Sequence, residues 1–267
     1  LSKVPVAHIA GGDVTEGAFD DAIRHAITKM SALHFTTSEK AAERVRQMGE
    51  NKQNVFATGS PGVDQIMAIS LMDRTEFFDS VGLKLRNRNF VITLHPATLS
   101  YENTSMVRAM LAALDSFPEV GLIFTGSNAD PGAAELEDII RIWVGGRVNA
   151  VFHSSLGSKR YFSALKHCDL VLGNSSSGLA EAPSFGIPTV NIGDRQARRL
   201  RAASIMDCIP EEGAIRTAIH SALANNWFGT FNPYGDGQAA PRILSHLAAV
   251  TNPAALVRKS FEDLDYG

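Results

Sequence analysis

The sequence predicts an α/β protein built on parallel β-sheets, and three observations support this. Short apolar runs alternate with longer amphipathic stretches along the chain, as expected for successive βα units. Small and polar residues directly follow several of the apolar runs, at the position where open parallel sheets bind ligands. With 267 residues, of which 45% are hydrophobic, the chain can bury a large core.

The composition excludes several classes of protein. With 20% charged residues and a net charge of -3, the chain is too apolar for a disordered protein and not basic enough for a nucleic-acid-binding one. No apolar run approaches the roughly 18 residues that span a bilayer, and the N-terminus shows no signal-peptide pattern. Cys168 and Cys208 fit neither a zinc nor a disulfide pattern. We therefore expect a cytoplasmic enzyme with no nucleic-acid or membrane partner.

The first elements have clear local signals. Residues 4–9 form an apolar run typical of a buried strand, and residues 19–30 combine an acidic start with helical apolar spacing. Ser38 is a candidate N-cap for a helix over 38–48. A turn over 58–62 precedes a helix that begins near Val63.

A doubly wound unit is predicted over residues 89–192, because strand and helix patterns alternate there without interruption. The predicted strands of the whole chain are 4–9, 33–37, 54–58, 89–94, 121–124, 150–152, 170–172 and 189–192. The helices predicted inside the doubly wound unit are 106–114, 134–143, 158–167 and 179–185. Polar clusters at 95, 126–130, 153–155 and 173–178 follow its strands and are expected to line one rim.

The strongest local signal is the segment Gly-Asn-Ser-Ser-Ser-Gly-Leu-Ala-Glu over residues 173–181. Small residues let the backbone approach a ligand, and Ser175 and Ser176 can bind phosphate oxygens. Glu181, one turn further on, can accept hydrogen bonds from a ribose diol. An ordinary capped helix start is the alternative, although three serines between two glycines exceed what capping requires. The segment is not a P-loop, because no Lys-Ser or Lys-Thr pair follows it.

Two further groups can bind anions. Four arginines occur within residues 195–201, and Arg195 lies nearest the strand end, where a guanidinium suits a phosphate; a solvated basic face is the alternative. His95 precedes a proline at a strand end and can donate to phosphate or serve as an acid or base. For Asn128 and Asp130, ligand binding and simple turn formation are equally weighted.

The N-terminal third carries a group of carboxylates. Asp13 follows two glycines at a strand end, and Asp20 and Asp21 come shortly after. Such carboxylates near an arginine suit proton transfer on a sugar carbon. Asp20 as a helix-start carboxylate and a divalent-metal site are the alternatives, and no metal is predicted. His25 and His34 are expected to serve structure.

Five ordered motifs resemble those of the UDP-N-acetylglucosamine 2-epimerases, and the similarity is strongest to the hydrolysing branch that serves sialic-acid and nonulosonate synthesis. The motifs are His-Ile-Ala-Gly-Gly-Asp (8–13), Asp-Asp-Ala-Ile-Arg-His-Ala-Ile-Thr-Lys (20–29), Leu-His-Pro (94–96), Gly-Asn-Ser-Ser-Ser-Gly (173–178) and Asn-Ile-Gly-Asp-Arg-Gln (191–196). A closing signature follows in Tyr-Gly-Asp-Gly (234–237) and Pro-Arg-Ile-Leu (241–244). The His-Val-Glu-Ala-Gly motif of the non-hydrolysing branch does not occur.

The resemblance implies a GT-B-type fold of two Rossmann-like domains, with the active site in the cleft between them. It implies elimination of UDP from the nucleotide sugar and hydration of the glycal to a free 2-epimer of the N-acetylmannosamine type. No cofactor is implied, because C2 is inverted without oxidation. A homodimer or homotetramer is the expected assembly.

The resemblance also implies roles for particular residues. The residues expected to hold UDP are His95, Asn128, Ser154, Ser175, Ser176, Glu181 and Arg195. The catalytic candidates are Asp13, Asp20, Asp21 and His95. Position 10 is alanine where some relatives carry Glu or His, and position 13 is Asp where Glu is commoner.

The motif order implies that the family's first segment is missing. The expected domains are 1–70, the latter part of an N-terminal Rossmann-like domain; 71–230, the nucleotide-binding domain; and 231–267, a C-terminal helix and tail that packs back toward the first domain. The alternatives to a hydrolysing epimerase are a GT-B glycosyltransferase, distinguished by acceptor-dependent UDP release, and a nucleotide-sugar-binding fragment without catalysis.

Overall fold

The structure, a computed structural model, describes residues 3–14, 20–96, 103–127 and 132–263. The chain divides into two compact units. Unit 1 consists of Leu1–Ala68 and Asn232–Gly267, and unit 2 is the continuous stretch Ile69–Phe231. The predicted α/β class is confirmed, because both units contain parallel sheets with helices between the strands. None of the helices in the described part of the chain is long and apolar enough to cross a membrane.

The elements follow one another in a regular βα order. The strands are β1 (Ala7–Ile9), β2 (Leu33–Thr36), β3 (Val55–Ala57), β4 (Asn89–Thr93), β5 (Gly121–Thr125), β6 (Ala150–His153), β7 (Leu170–Gly173), β8 (Thr189–Ile192) and β9 (Ile205–Cys208). The helices are α1 (Asp20–Met30), α2 (Glu39–Gln47), α3 (Pro61–Ala68), α4 (Arg74–Val81), α5 (Asn103–Leu114), α6 (Ala133–Gly145), α7 (Gly157–His167), α8 (Ser176–Ala180), α9 (Glu212–Leu223) and α10 (Ala239–Ala248). Short 3₁₀ turns occupy Lys52–Asn54, Ala182–Phe185 and Pro253–Val257.

Unit 2 contains a six-stranded parallel sheet in the order β6-β5-β4-β7-β8-β9. The chain first builds β4, β5 and β6 in one direction, and then β7, β8 and β9 in the other. The doubly wound unit predicted over 89–192 is therefore confirmed. The order reverses between β4 and β7, and such a switch point is where open parallel sheets bind ligands.

The core of unit 2 explains why its strands read as continuous apolar runs. Phe90, Ile92, Leu122, Phe124 and Leu172 are buried in one cluster beneath the packed helices. Parallel strands covered on both faces need apolar residues on both sides. The apolar run rather than an alternating pattern is consequently the sequence signal for this sheet.

Four parts of unit 2 differ from the sequence prediction. Helices α4 and α9 and strand β9 have no counterpart in the prediction. The helix predicted over 179–185 begins earlier, at Ser176, and gives way to a 3₁₀ turn at Ala182. Pro183 lacks the amide hydrogen that a continued α-helix needs there, and Gly186 in the left-handed conformation ends the turn.

Unit 1 contains a three-stranded parallel sheet in the order β1-β2-β3. Its core joins β2 to α10, because Phe35 and Ile243 are buried in one cluster. As predicted, Ser38 caps α2, and its hydroxyl accepts a hydrogen bond from the Ala41 amide.

The prediction of a buried strand over residues 4–9 is wrong. Only Ala7–Ile9 pair with a neighbouring strand, and the side chain of Val4 is 68% exposed, with Val6 and Ile9 also exposed. Among the described residues β1 has β2 as its one partner strand, so its other edge and much of its surface are not covered. An apolar run shows that a strand favours burial but does not show that a neighbour is present to bury it.

The closing signature over residues 234–244 belongs to unit 1 and contacts the first segment of that unit. The Ser60 amide donates to the Tyr234 carbonyl over 2.7 Å. The Asp64 carboxylate accepts from the Ala239 amide over 2.9 Å and also from the next amide, so it caps α10. The signature therefore anchors α10 to the end of β3 and the start of α3.

A buried carboxylate holds unit 1 together. Glu50 is 2% exposed and accepts from Lys29 Nζ over 2.6 Å, Lys259 Nζ over 2.7 Å and His34 Nε2 over 2.9 Å. Burial raises the pKa of Glu50, but hydrogen bonds from Lys259 and Lys29 outweigh it, so the pKa lies below the ordinary value. Burial lowers the pKa of His34 despite its contact with Glu50. His34 therefore has the structural place that the sequence predicts for it.

Replacing Glu50 by Gln should destabilise the protein by about 2 kcal/mol, because hydrogen bonds between charged groups are lost at a buried site. The exposed Glu43, which pairs with Lys40, offers a control, and Glu43→Gln should leave the stability unchanged. Urea denaturation followed by circular dichroism measures both. Since the pKa of Glu50 is lowered on folding, its contribution should be complete above the ordinary glutamate pKa and be lost as the pH falls through the lowered value. Equal urea midpoints for the two variants would contradict this.

Candidate functional site

The carboxyl ends of the strands of unit 2 bring several predicted site residues onto one rim. His95 follows β4, Ser154 follows β6, and Ser175 follows β7. Arg195 comes after β8. Because all these strands are parallel, the loops emerge at the same edge of the sheet, as the sequence predicts.

His95 is fixed through its main chain by the side chain of Asn174. The His95 amide donates to Asn174 Oδ1 over 2.7 Å, and Asn174 Nδ2 donates to the His95 carbonyl over 2.8 Å. Both residues are buried, with Asn174 1% and His95 6% exposed. The loops after β4 and β7 are joined by this pair of bonds across the switch point of the sheet.

The main chain of Asn174 also binds the loop after β8. Its carbonyl accepts from Gln196 Nε2 over 2.8 Å and from Arg195 Nη1 over 3.2 Å. Gln196 is buried, whereas Arg195 is partly exposed. Asn174 thus connects His95 and Arg195, two residues predicted to bind the phosphates.

The three serines of the loop 173–178 have different contacts. Ser175 is the N-cap of α8, and its hydroxyl accepts from the Ser177 amide. Ser177 donates its hydroxyl to the Glu181 carboxylate. No hydrogen bond among the described residues involves the Ser176 side chain, which is half-buried. The alternative of a capped helix start therefore accounts for one serine and not for the other two.

Glu181 lies at the end of α8 in a partly buried position. Burial raises its pKa above the ordinary value, against the opposing hydrogen bond from Ser177. In its ionised form, this carboxylate is a hydrogen-bond acceptor. This environment fits the predicted role of accepting from ribose hydroxyls.

Gly173 lets β7 approach β4 closely. Its φ is +135°, and a Cβ atom there would lie 1.9 Å from the Thr93 carbonyl oxygen. No side chain fits at this distance, so glycine is required by the neighbouring strand. The glycine places Asn174 within reach of His95.

The loops after β5 and β6 carry the remaining predictions for unit 2. Ser154 is exposed, and its hydroxyl accepts from Arg141 Nη2 over 3.1 Å. The Ser127 hydroxyl donates to the Leu94 carbonyl. This hydrogen bond joins the loop after β5 to the residue directly before His95. Asn128 and Asp130 lie outside the described residues.

A cavity of about 540 Å³ lies beside Arg195 in unit 2. Met106 and Ile192 contribute apolar walls, and Asn174 and Cys208 also line it. Burial, followed by the charge of Asp207, raises the pKa of Cys208 to about 11, so its thiol is neutral at pH 7. Besides Arg195 and these apolar residues, Asp194 and Asp207 line the cavity.

In unit 1 the two glycines before Asp13 are required by close packing. A Cβ on Gly12, whose φ is +79°, would lie 2.2 Å from the Ala41 carbonyl oxygen. A Cβ on Gly11 would lie 2.8 Å from His8 Nδ1. The structure shows that these glycines let α2 and His8 pack beside them.

Arg24 connects two of the predicted carboxylate residues. Its Nη1 donates to the Asp13 main-chain carbonyl over 2.9 Å and lies 3.4 Å from Asp21 Oδ1. The Asp13 carboxylate itself accepts from the Thr37 hydroxyl over 2.8 Å. Asp21 also contacts His25 Nε2 at 3.3 Å. Asp20 begins α1, and its side chain lies outside the described part of the structure.

The sequence prediction missed Asn174 and Gln196 as members of the site. Both lie within recognised motifs, yet their side chains bond to the main chain of other loops, and no local pattern reveals such a partner. The signal in the sequence is an amide side chain in an unusual place: Asn174 directly follows a strand, and Gln196 lies among the arginines of residues 195–201. Ser177 was likewise named as part of the motif without its contact to Glu181.

Comparison with known sequences finds one family. The sequence profile described as UDP-N-acetylglucosamine 2-epimerase matches residues 1–248. The chain is 38% identical over 209 residues to GDP/UDP-N,N'-diacetylbacillosamine 2-epimerase (hydrolyzing) of Campylobacter jejuni, covering 78% of the chain and 54% of that protein. It is 37% identical over 240 residues to the polysialic acid biosynthesis protein P7 of Escherichia coli, covering 88% of the chain and 61% of that protein.

Solved structures show the same fold. The structure of S. aureus MnaA with UDP has a TM-score of 0.77 at 18% identity, and the match covers 98% of the chain and 71% of that protein. The UDP-GlcNAc 2-epimerase of Neisseria meningitidis bound to UDP-GlcNAc has a TM-score of 0.76 at 17% identity, covering 91% and 70%. The predicted GT-B-type fold is thereby confirmed.

The chain spans about half to three fifths of the length of the two curated relatives described above. The family profile nevertheless covers most of the chain, including every motif that carried the sequence resemblance. The chain belongs to the UDP-N-acetylglucosamine 2-epimerase family.

Proposed function

We propose that the protein acts as a hydrolysing UDP-N-acetylglucosamine 2-epimerase. It converts UDP-N-acetylglucosamine, or a UDP- or GDP-linked diacetamido sugar, and water into the free 2-epimer and the nucleoside diphosphate. The observation that carries the proposal is the joined arrangement of His95, Asn174 and Arg195 at the loop that leads into α8, the helix that ends at Glu181. The names of the relatives from C. jejuni and E. coli support the same branch.

The residues of unit 2 supply groups that suit a nucleoside diphosphate. Arg195 offers a charged planar donor to phosphate oxygens, and His95 offers an imidazole donor on the same joined loops. Ser175 and Ser176 add hydroxyls. Glu181 offers a carboxylate acceptor for the ribose diol. Asn128 and Ser154 belong to the same proposal, on the nucleotide side.

The chemical step needs groups that move protons at a sugar carbon. A base takes the proton from C2 while the bond between C1 and the UDP oxygen breaks, which leaves a C1–C2 double bond. Water then adds its hydroxyl to C1, and a proton returns to C2 from the opposite face. Asp13, Asp20 and Asp21 are the proposed acid and base groups, and His95 can protonate the departing phosphate oxygen.

The cellular context belongs to the proposal as well. The family resemblance favours a homodimer or homotetramer, and the cysteine usage favours a cytoplasmic location. The sugar substrate is proposed only as a class, because its substituents are read by side chains that the family motifs do not include.

Incubation with UDP-N-acetylglucosamine in D₂O should release UDP and give N-acetylmannosamine with deuterium at C2, because the C2 proton is replaced from solvent. NMR of the products measures both. Asp13→Asn should abolish product formation while UDP still binds. UDP release that requires an added acceptor would identify a glycosyltransferase instead, and UDP binding without any release would identify a binding module.

Arg195→Ala should weaken UDP binding about tenfold to a hundredfold, because a charge-assisted hydrogen bond to phosphate is lost. Isothermal titration calorimetry measures the dissociation constant. Arg216, which lies on α9 and pairs with Glu212, provides a control with the same change of charge in unit 2. If Arg195→Ala and Arg216→Ala alter the affinity equally, Arg195 does not contact the diphosphate.

As the pH is lowered, the affinity for uridine should begin to fall at a pH above the ordinary glutamate pKa. Burial raises the pKa of Glu181, and only the ionised carboxylate accepts hydrogen bonds well from both ribose hydroxyls. Uridine lacks phosphates, so the ligand itself does not titrate there. NMR titrations at a series of pH values measure the effect. The Glu181→Gln variant should bind uridine more weakly, and its affinity should not fall as the pH is lowered. With the parent protein, the affinity for 2′-deoxyuridine should fall less than the affinity for uridine. An unchanged pH profile in Glu181→Gln would remove Glu181 from the ribose site.

A further inference from the structure

We propose that Asn174 is a positioning residue for the reaction, because it holds the loops that carry His95 and Arg195 in one fixed arrangement. This inference deepens the proposed function and rests on it for its catalytic consequence. Asn174 is not expected to touch the reacting atoms. It acts through the two residues that it holds.

The hold on His95 is made through the main chain. Asn174 accepts from the His95 amide and donates to the His95 carbonyl, so both main-chain hydrogen-bonding groups of His95 are occupied. The next residue is Pro96, whose ring fixes φ and restricts the conformation of His95 itself. With both peptide groups bound and its conformation restricted, the His95 main chain has little freedom left.

The hold on Arg195 is made through the Asn174 carbonyl. Arg195 uses only Nη1 for this bond at 3.2 Å, and the buried Gln196 secures the same carbonyl at 2.8 Å. A single residue of the β7 loop therefore sets the positions of the loops after β4 and β8.

Asn89 makes the same reciprocal hydrogen bonds to a main chain at a place remote from the candidate site. At the amino end of β4, Asn89 Oδ1 accepts from the Arg86 amide over 3.2 Å, and Asn89 Nδ2 donates to the Arg86 carbonyl over 2.9 Å. Asn89 is fully buried, like Asn174. The two asparagines make the same reciprocal pair of bonds in unit 2, but Asn89 lies at the opposite end of the strand from His95. The Asn89→Ala variant is consequently a matched control for a loss of stability that does not involve His95.

The test compares Asn174→Ala with Asn89→Ala in the full chain. Both variants lose two buried hydrogen bonds, so both should lower the melting temperature. Only Asn174→Ala should shift and broaden the ¹⁵N imidazole resonances of His95, which are identified by their absence in His95→Gln. It should also raise the dissociation constant of UDP at least tenfold, whereas Asn89→Ala should change it less than twofold.

Asn174→Asp adds a readout that lost stability cannot imitate. The aspartate keeps the oxygen that accepts from the His95 amide, but its second oxygen can donate to the His95 carbonyl only when it is protonated. The kcat/KM of Asn174→Asp should therefore rise toward that of the parent as the pH is lowered. Asn174→Ala should show no such recovery.

The outcomes separate this inference from the proposed function. If the His95 resonances in Asn174→Ala match those of the parent, or if Asn89→Ala perturbs them equally, Asn174 is not a positioning residue. If the resonances move only in Asn174→Ala but the parent neither binds UDP nor releases it from a nucleotide sugar, the positioning of His95 stands and the proposed function fails.

Discussion

The reciprocal hydrogen bonds between Asn174 and the His95 main chain are the interaction on which the candidate nucleotide site depends. In an open parallel sheet, the loops at a switch point diverge because the connecting helices leave on opposite faces. The amide side chain of Asn174 spans that divergence and replaces the ladder bonds that end with β4 and β7. Its carbonyl extends the connection to the loop after β8. Three loops therefore behave as one buried polar assembly.

Such an assembly requires the main chains of neighbouring segments to approach closely, and glycine permits this approach because it has no side chain. Gly173 permits contact with Thr93 at a distance that excludes any side chain. Gly12 serves in the same way against α2 in unit 1. Glycines at strand ends are commonly interpreted as leaving space for a ligand, whereas here they first leave space for the protein's own backbone. In the proposed function, ligand approach would be a second use of a geometry already imposed by packing.

The sequence predicted the elements whose signals are local or strongly periodic. The doubly wound order of unit 2 and the Ser38 cap follow from apolar runs and from one hydroxyl side chain. Helix α4 was missed although Asp73 caps it and Gly82 ends it, because its short amphipathic face gives a weak period. Strand β9 was missed because it is a short edge strand that contains Asp207 and is only partly buried.

The sequence predicts which loops form the candidate site, but it does not predict the hydrogen bonds between them. Strand ends show where polar residues meet, so His95, Ser175 and Arg195 could be placed on one rim. The partners of Asn174 and Gln196 are fixed by tertiary contacts between distant segments, and a single sequence carries no signal for these. The exposure of Val4 is a similar case, since burial depends on whether a neighbouring element is present.

The anchoring of residue 259 to Glu50 has a consequence for how the chain folds as it is synthesised. Unit 2 is one continuous stretch, so it can complete its contacts once residue 231 has left the ribosome. Unit 1 is interrupted by unit 2, and Lys29, Glu50 and Lys259 meet only after residue 259 has been synthesised. Contacts between such distant residues form slowly because a long loop must close first. The part of unit 1 that precedes unit 2 in the sequence therefore completes its contacts only after unit 2 has been synthesised, because Glu50 pairs with a lysine from the segment that follows unit 2.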